Sequence, residues 1–216
     1  MYRFSRMVRL SGSHLQAAMA LAVEITDHVR SVTGQPLNLY TEAFSSAPGT
    51  LAWTTTAADL TTIEGSMDKL MADTHYNGLA ESAQQYILPG TLTDKLRSVV
   101  YPTEALGSDG RLPEYVTAVY STIAGGQLAN AMSVGVAIAK KTTEITGLVT
   151  EFEVDATGNF GGVAWLTACP TVNDMQRGEE KLYADPSFLE LVDKKGATAF
   201  AATPGATWQR VLRRIA

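Results

Sequence analysis

From Tyr2 to Leu10 apolar and polar residues alternate (YRFSRMVRL), the period of a half-buried strand. After a Ser-Gly-Ser break the period lengthens. Leu15, Ala18, Met19, Ala22, Ile25, Val29 and Val32 then form a helical stripe, and Gly34 is a natural stop for it. LNLYTEAF (37–44) reads as a second strand, SSAPG as a turn, and the stretch around Trp53 as a third strand. DKLMADTHYNGLAESAQQY (68–86) carries a second helix, and DKLRSVVY (94–101), after Pro89-Gly90, closes as a strand. The predicted order is β-α-β-β-α-β.

The chain then repeats this succession. Shifted by 113 residues, 2–34 lies on 115–147 without a gap, and Gly12, Leu15, Ala18, Met19 and Gly34 recur as Gly125, Leu128, Ala131, Met132 and Gly147. Shifted by 112, Trp53 meets Trp165 and KLMAD (69–73) meets KLYAD (181–185). The change of offset falls between the first helix and the Trp strand, where a loop absorbs it. The second copy continues with LVTEFEV (148–154), a helix in EEKLYADPSFLELVDKKGATAF (179–200) and the strand WQRVLRRI after Pro204-Gly205. A repeat of this length governs the whole fold.

This order with antiparallel pairing is the split βαβ, or ferredoxin-like, unit, whose helices cover only one face of its sheet. The other face needs burial, and a second copy would supply it. The expected fold class is therefore α+β: two tandem ferredoxin-like βαββαβ units, 1–104 and 115–216, with antiparallel sheets packed face to face as an intramolecular barrel. ALGSDGRLPE (105–114) would be the linker.

Charge and composition narrow the function. The net charge of −5 and the lack of an Arg/Lys stripe argue against nucleic-acid binding. Arg3, Arg6 and Arg9 before LQAAMALAV mimic a signal peptide, but that segment has an interior counterpart at 115–147. No apolar stretch reaches the roughly 18 residues of a membrane span, so the expectation is a cytoplasmic protein that engages no membrane. The single Cys169 excludes an intrachain disulfide and a multi-Cys metal site, and it reads as a buried structural thiol.

Candidate chemistry is sparse. His14 and His28 have Gln127 and Lys141 as counterparts, so both read as exposed; three scattered histidines make no metal site. His75 is the acid/base candidate, because an imidazole titrates near neutral pH. Arg6 and Arg9 interrupt the first strand where the second copy has Val119 and Thr122. Tyr40 and Glu42 share one face of the second strand, as Glu151 and Glu153 do in its counterpart. Facing outward these residues are a solvated edge; facing a cavity, Arg6, Arg9, Tyr40 and Glu42 would be ligand-binding groups. Alternation does not say which face is inward. The duplicated Trp53 and Trp165 read as core.

A Trp in the third strand of each copy is followed by L-x-A-D-x-x-[YF], as Leu70–Asp73–Tyr76 and Leu182–Asp185–Phe188. With the element order, this resembles the dimeric α+β barrel superfamily, fused in tandem. That superfamily includes cofactor-free antibiotic-biosynthesis monooxygenases, aromatic polyketide cyclases, haem-degrading and chlorite-dismutase-like proteins, and NIPSNAP-like proteins. Where haem-degrading members place the ligating His, this chain has Leu79 and Leu191, and its second copy contains no His. The resemblance therefore implies no haem, and we expect no cofactor or metal. It implies a small-molecule-binding protein that acts on an apolar, aromatic or polyketide-like molecule as a cofactor-free monooxygenase or cyclase. The alternative is a non-catalytic binding or assembly protein of the same fold. Free sheet edges suggest a homo-oligomer.

Overall fold

The computed structural model describes residues 1–12, 14–45, 48–102 and 113–216. Most of the predicted linker 105–114 lies outside the described residues. The chain divides into two compact units, Met1–Leu96 with Arg213–Ala216, and Arg97–Leu212.

In the first unit, β1 (Tyr2–Arg9), β2 (Asn38–Ala43) and β3 (Thr50–Ala57) form an antiparallel sheet in the order β1-β3-β2. Arg6 and Leu39 both lie opposite Trp53. α1 (Leu15–Thr33) packs Ala18 and Ala22 against Val8, Leu10, Leu39 and Leu51 on one face of this sheet. Gly34 ends α1 in the left-handed conformation predicted for it, φ 71°, and its N–H closes on the Arg30 carbonyl. The buried stripe differs from the predicted one. Leu15 is exposed, while Thr26 and Thr33 are buried, each hydroxyl donating to a carbonyl one turn back, on Ala22 and Val29. A threonine whose hydroxyl is satisfied by its own helix can occupy a core position.

In the second unit, β5 (Tyr115–Thr122), β6 (Thr150–Asp155) and β7 (Gly162–Cys169) repeat this arrangement, with Val119 and Phe152 opposite Trp165. The 97–101 part of β4 (Thr93–Tyr101) pairs antiparallel with β6, and the 208–212 part of β8 (Trp208–Arg214) lies beside β5. α4 (Leu128–Thr146) ends at Gly147 as α1 ends at Gly34.

The second helix of each copy departs from prediction. It is two helices: α2 (Leu60–Ala72) and α3 (Thr74–Ala83), then α5 (Val172–Ala184) and α6 (Pro186–Glu190). Asp73 and Asp185 break them. Each is extended, and its carboxylate accepts the N–H three residues on, from Tyr76 at 2.7 Å and from Phe188 at 2.9 Å. The repeated Asp of the sequence motif is thus an N-cap. After α6 the chain adds one π turn, Leu191–Gly196. No described helix is long and apolar enough to cross a membrane.

Candidate functional site

Strand alternation gives each sheet a face that packs on helices and a face that does not. In the second unit the helix-side face carries Thr117, Val119 and Ser121 of β5, Thr150 of β6, and Trp165 and Thr167 of β7. α5, α6 and the π turn stand off from this face and leave a cleft of ≈ 550 Å³. That is ample for a small organic ligand. Its apolar end is formed by Trp165, Phe188, Val192 and Phe200; Thr117, Thr142, Thr150 and Thr167 supply hydroxyls, and Glu179 and Gln209 face each other across it. The Gln209 amide donates to the Glu179 carboxylate at 3.4 Å, and the Thr150 and Thr167 hydroxyls bond each other at 2.9 Å. A π turn in a cleft wall is a common mark of functional sites. Trp165 is held from behind: its Nε1–H donates to the Gly135 carbonyl at 2.9 Å, and the Phe200 ring meets it edge-on at 5.0 Å.

The same groove in the first unit is closed to ≈ 80 Å³. The repeat offset shows how. Phe4 stands for Thr117, Val29 for Thr142, Leu37 for Thr150 and Met67 for Glu179, and all four line the residual crevice. Arg6, which replaces Val119, fills more of the space. Its guanidinium grips Asp94 with two bonds, 2.8 and 2.7 Å, and donates to the Tyr76 hydroxyl at 3.3 Å. Counted from the preceding Pro-Gly turns, Asp94 stands where Gln209 does, and Tyr76 stands for Phe188. The bond to Asp94 raises the Arg6 pKa against the opposing effect of burial, so this plug is charged at every ordinary pH.

The predicted site residues are therefore dispersed. Arg6 is on the helix-side face. Tyr40 and Glu42 are on the opposite face, Tyr40 buried and Glu42 half-buried, and Arg9 is exposed on that same side. His75 is exposed in the first turn of α3, its ring 4.5 Å from His28. None of the five lines the open cleft. His28 is a correction: it is half-buried, and its Nε2 lies 2.9 Å from Asp73 Oδ1. The Tyr76 amide first, and then His28, holds the Asp73 carboxyl below its ordinary pKa. His14 is exposed. Cys169 is buried, and burial pushes its thiol up to about 11.

The other face of the second sheet holds a second charged group that the strand pattern had only hinted at. Glu151 and Glu153 are fully buried, and Arg97 bonds Asp155 at 2.7 Å with Glu153 3.9 Å away. Burial lowers the Arg97 pKa, but Tyr120, Glu153 and Asp155 together reverse this and leave it raised. The guanidinium also lies 5.0 Å over the Tyr120 ring, which stacks on Trp208 at 4.1 Å. This network orders the sheet from the side opposite the cleft.

No family model and no curated protein matches the chain. Solved structures do. It is similar along its whole length to a candidate monooxygenase from Fusobacterium nucleatum, at TM-score 0.72 and 8% identity, covering 100% of this chain and 92% of that one. A second candidate monooxygenase, from Lactobacillus acidophilus, aligns at TM-score 0.67 and 7% identity over 99% and 93%. The chain has the fold of the dimeric α+β barrel superfamily. An anthrone oxidase-like protein shares this dimeric α+β barrel fold at TM-score 0.62 and 13% identity, over 100% and 91%. Haem, which some proteins of this fold hold, does not suit the donor set of the cleft. Among the described residues its lining has no imidazole or thiolate, and Leu191 opens the π turn where the resemblance puts the ligating His.

Proposed function

We propose that the second-unit cleft binds a compact aromatic molecule, and that the protein is a cofactor-free monooxygenase acting on it. One observation carries this reading: of two grooves built from the same repeat, one is filled by apolar bulk and an Arg–Asp–Tyr plug while the other is held open and hydroxyl-lined. Closing a groove adds buried apolar contact. Keeping the other open forgoes that gain, which makes sense for a site with an occupant. Trp165, Phe188 and Phe200 offer aromatic contact to a ring system, and Glu179 and Asp193 are carboxylates able to accept a proton from it. The anthrone oxidase-like and monooxygenase names of the structural neighbours support the choice of reaction. In such a step an acidic methylene of the substrate loses two hydrogens. One oxygen atom of O2 becomes the ketone oxygen and the other leaves as water, with the substrate supplying the electrons.

The test is oxygen uptake and product formation with an anthrone as substrate, comparing the native chain with Thr117→Phe, which installs the first copy's residue in the cleft. Turnover by the native chain that T117F abolishes is the expected result. Binding that T117F does not weaken would refute the assignment of the cleft; T117F-sensitive binding without turnover would leave a carrier rather than an enzyme.

A further inference from the structure

The charge of the open cleft selects its ligand. Among the described residues that line it, Glu179 and Asp193 are the fixed charges, and no Lys, Arg or His is among them. The two lysines that follow Asp193 do not offset it: Lys194 and Lys195 line a separate groove with Asn130, Ser133 and Val134, and Lys194 bonds Glu190 at 2.8 Å. The polarity of the cleft also sits at particular positions where the two copies differ. Between the first and second copies Phe4, Val29, Leu37 and Met67 become Thr117, Thr142, Thr150 and Glu179. Three of these exchanges add neutral hydroxyls and the fourth adds a negative charge.

Resting on the cleft reading above, we infer that the site takes hydroxylated aromatics that carry no anionic group, and that Glu179 and Asp193 are its specificity-determining residues, excluding aromatic carboxylates and sulfonates. A ligand hydroxyl finds acceptors in Glu179 and the threonine hydroxyls. A ligand carboxylate meets a like charge without a cation to compensate it, at the half-buried Glu179 first and at the exposed, better solvated Asp193 second. Gln209 aims Glu179: its amide donates to one carboxylate oxygen and leaves the other for the ligand.

The experiment is calorimetric titration with two probes of the same ring system, 2-naphthol and 2-naphthoate, at neutral pH. The native chain should bind 2-naphthol about tenfold or more tightly than 2-naphthoate. Glu179→Gln should bring the two affinities together chiefly by improving 2-naphthoate, Asp193→Asn should do so in part, and Thr117→Phe should weaken both. Equal affinity for the two probes in the native chain, or a preference for 2-naphthoate, overturns the inference while T117F-sensitive binding keeps the cleft reading. Binding of neither probe, or binding that ignores T117F, overturns both.

Discussion

Gly135→Ala isolates one packing relationship that the repeat makes readable. A Cβ at Gly135 would stand 2.6 Å from Cε1 of Phe152 and nearer still to its Cε2 and Cζ, on a ring that is fully buried. The methyl group cannot be absorbed by rotating a surface side chain; either α4 or the ring must move. Overpacking of this kind costs about 1–3 kcal/mol. Displacing α4 also stretches the bond from Trp165 Nε1 to the Gly135 carbonyl, worth about 1 kcal/mol. The better helix propensity of Ala offsets about 1 kcal/mol. The net expectation is a loss of about 2 kcal/mol, or roughly 4–8 °C in Tm for a chain of this size. The first copy holds the compensated alternative, Ala22 with Leu39 at the equivalent positions. Phe152→Leu alone should cost about 1–2 kcal/mol through the space it leaves. The double variant G135A/F152L should recover most of both losses, a coupling of about 2 kcal/mol. Urea unfolding followed by far-UV circular dichroism reads all four corners of the cycle. Additive losses would refute the argument, since they would mean that the glycine and the ring do not compete for the same space.

Two further outcomes follow from the charged groups. The folded-state pKa of Asp73 is depressed, so its contribution to stability is present above the unfolded carboxyl pKa near about 4 and is lost as pH falls through the folded value. Asp73→Ala should therefore lower Tm at pH 7 by an amount that shrinks steadily below about pH 4; a gap that does not change with pH would refute the capping role. Arg97→Met leaves Asp155 and Glu153 buried without their guanidinium and should cost about 3–5 kcal/mol in urea unfolding. Arg97→Met with Asp155→Asn should cost less than Arg97→Met alone, and a loss under about 1 kcal/mol for the single variant would overturn the reading of this network.

Much of the element order is legible in the sequence because the signals are local. Gly34 and Gly147 stop their helices where a left-handed residue is needed, and period-two alternation marks β1, with β5 found as its repeat. What stayed hidden was decided by side-chain bonding to the backbone. Apolar periodicity alone makes Leu15 a core residue and passes over Thr26 and Thr33, because it cannot see a hydroxyl satisfied one turn back. The break of the second helix was visible as a repeated Asp, but its meaning required the extended backbone at Asp73 and Asp185. Thr26 also explains how the two tryptophans differ. In the first copy Trp53 donates to the Thr26 hydroxyl, which donates to the Ala22 carbonyl; in the second, Ala139 replaces Thr26 and Trp165 donates straight to the Gly135 carbonyl.

The site illustrates a limit of searching a sequence for unusual residues. Arg6 stands out because an arginine in a strand of an apolar core demands a partner. It has partners, Asp94 and Tyr76, and with them it closes a groove rather than serving one. The residues that make the open groove are ordinary: threonines, a glutamate on a helix and a glutamine on a strand. Each is common on a protein surface and carries no signal alone. Their signal lies in the comparison between copies, Thr117 against Phe4 and Glu179 against Met67, and it becomes readable only once register shows that all of them face the same helix-side space. In a duplicated fold, loss of bulk in one copy is as informative as gain of charge in the other. Apolar filling of a groove is the default that burial favours, so the copy that departs from it is where a ligand should be sought.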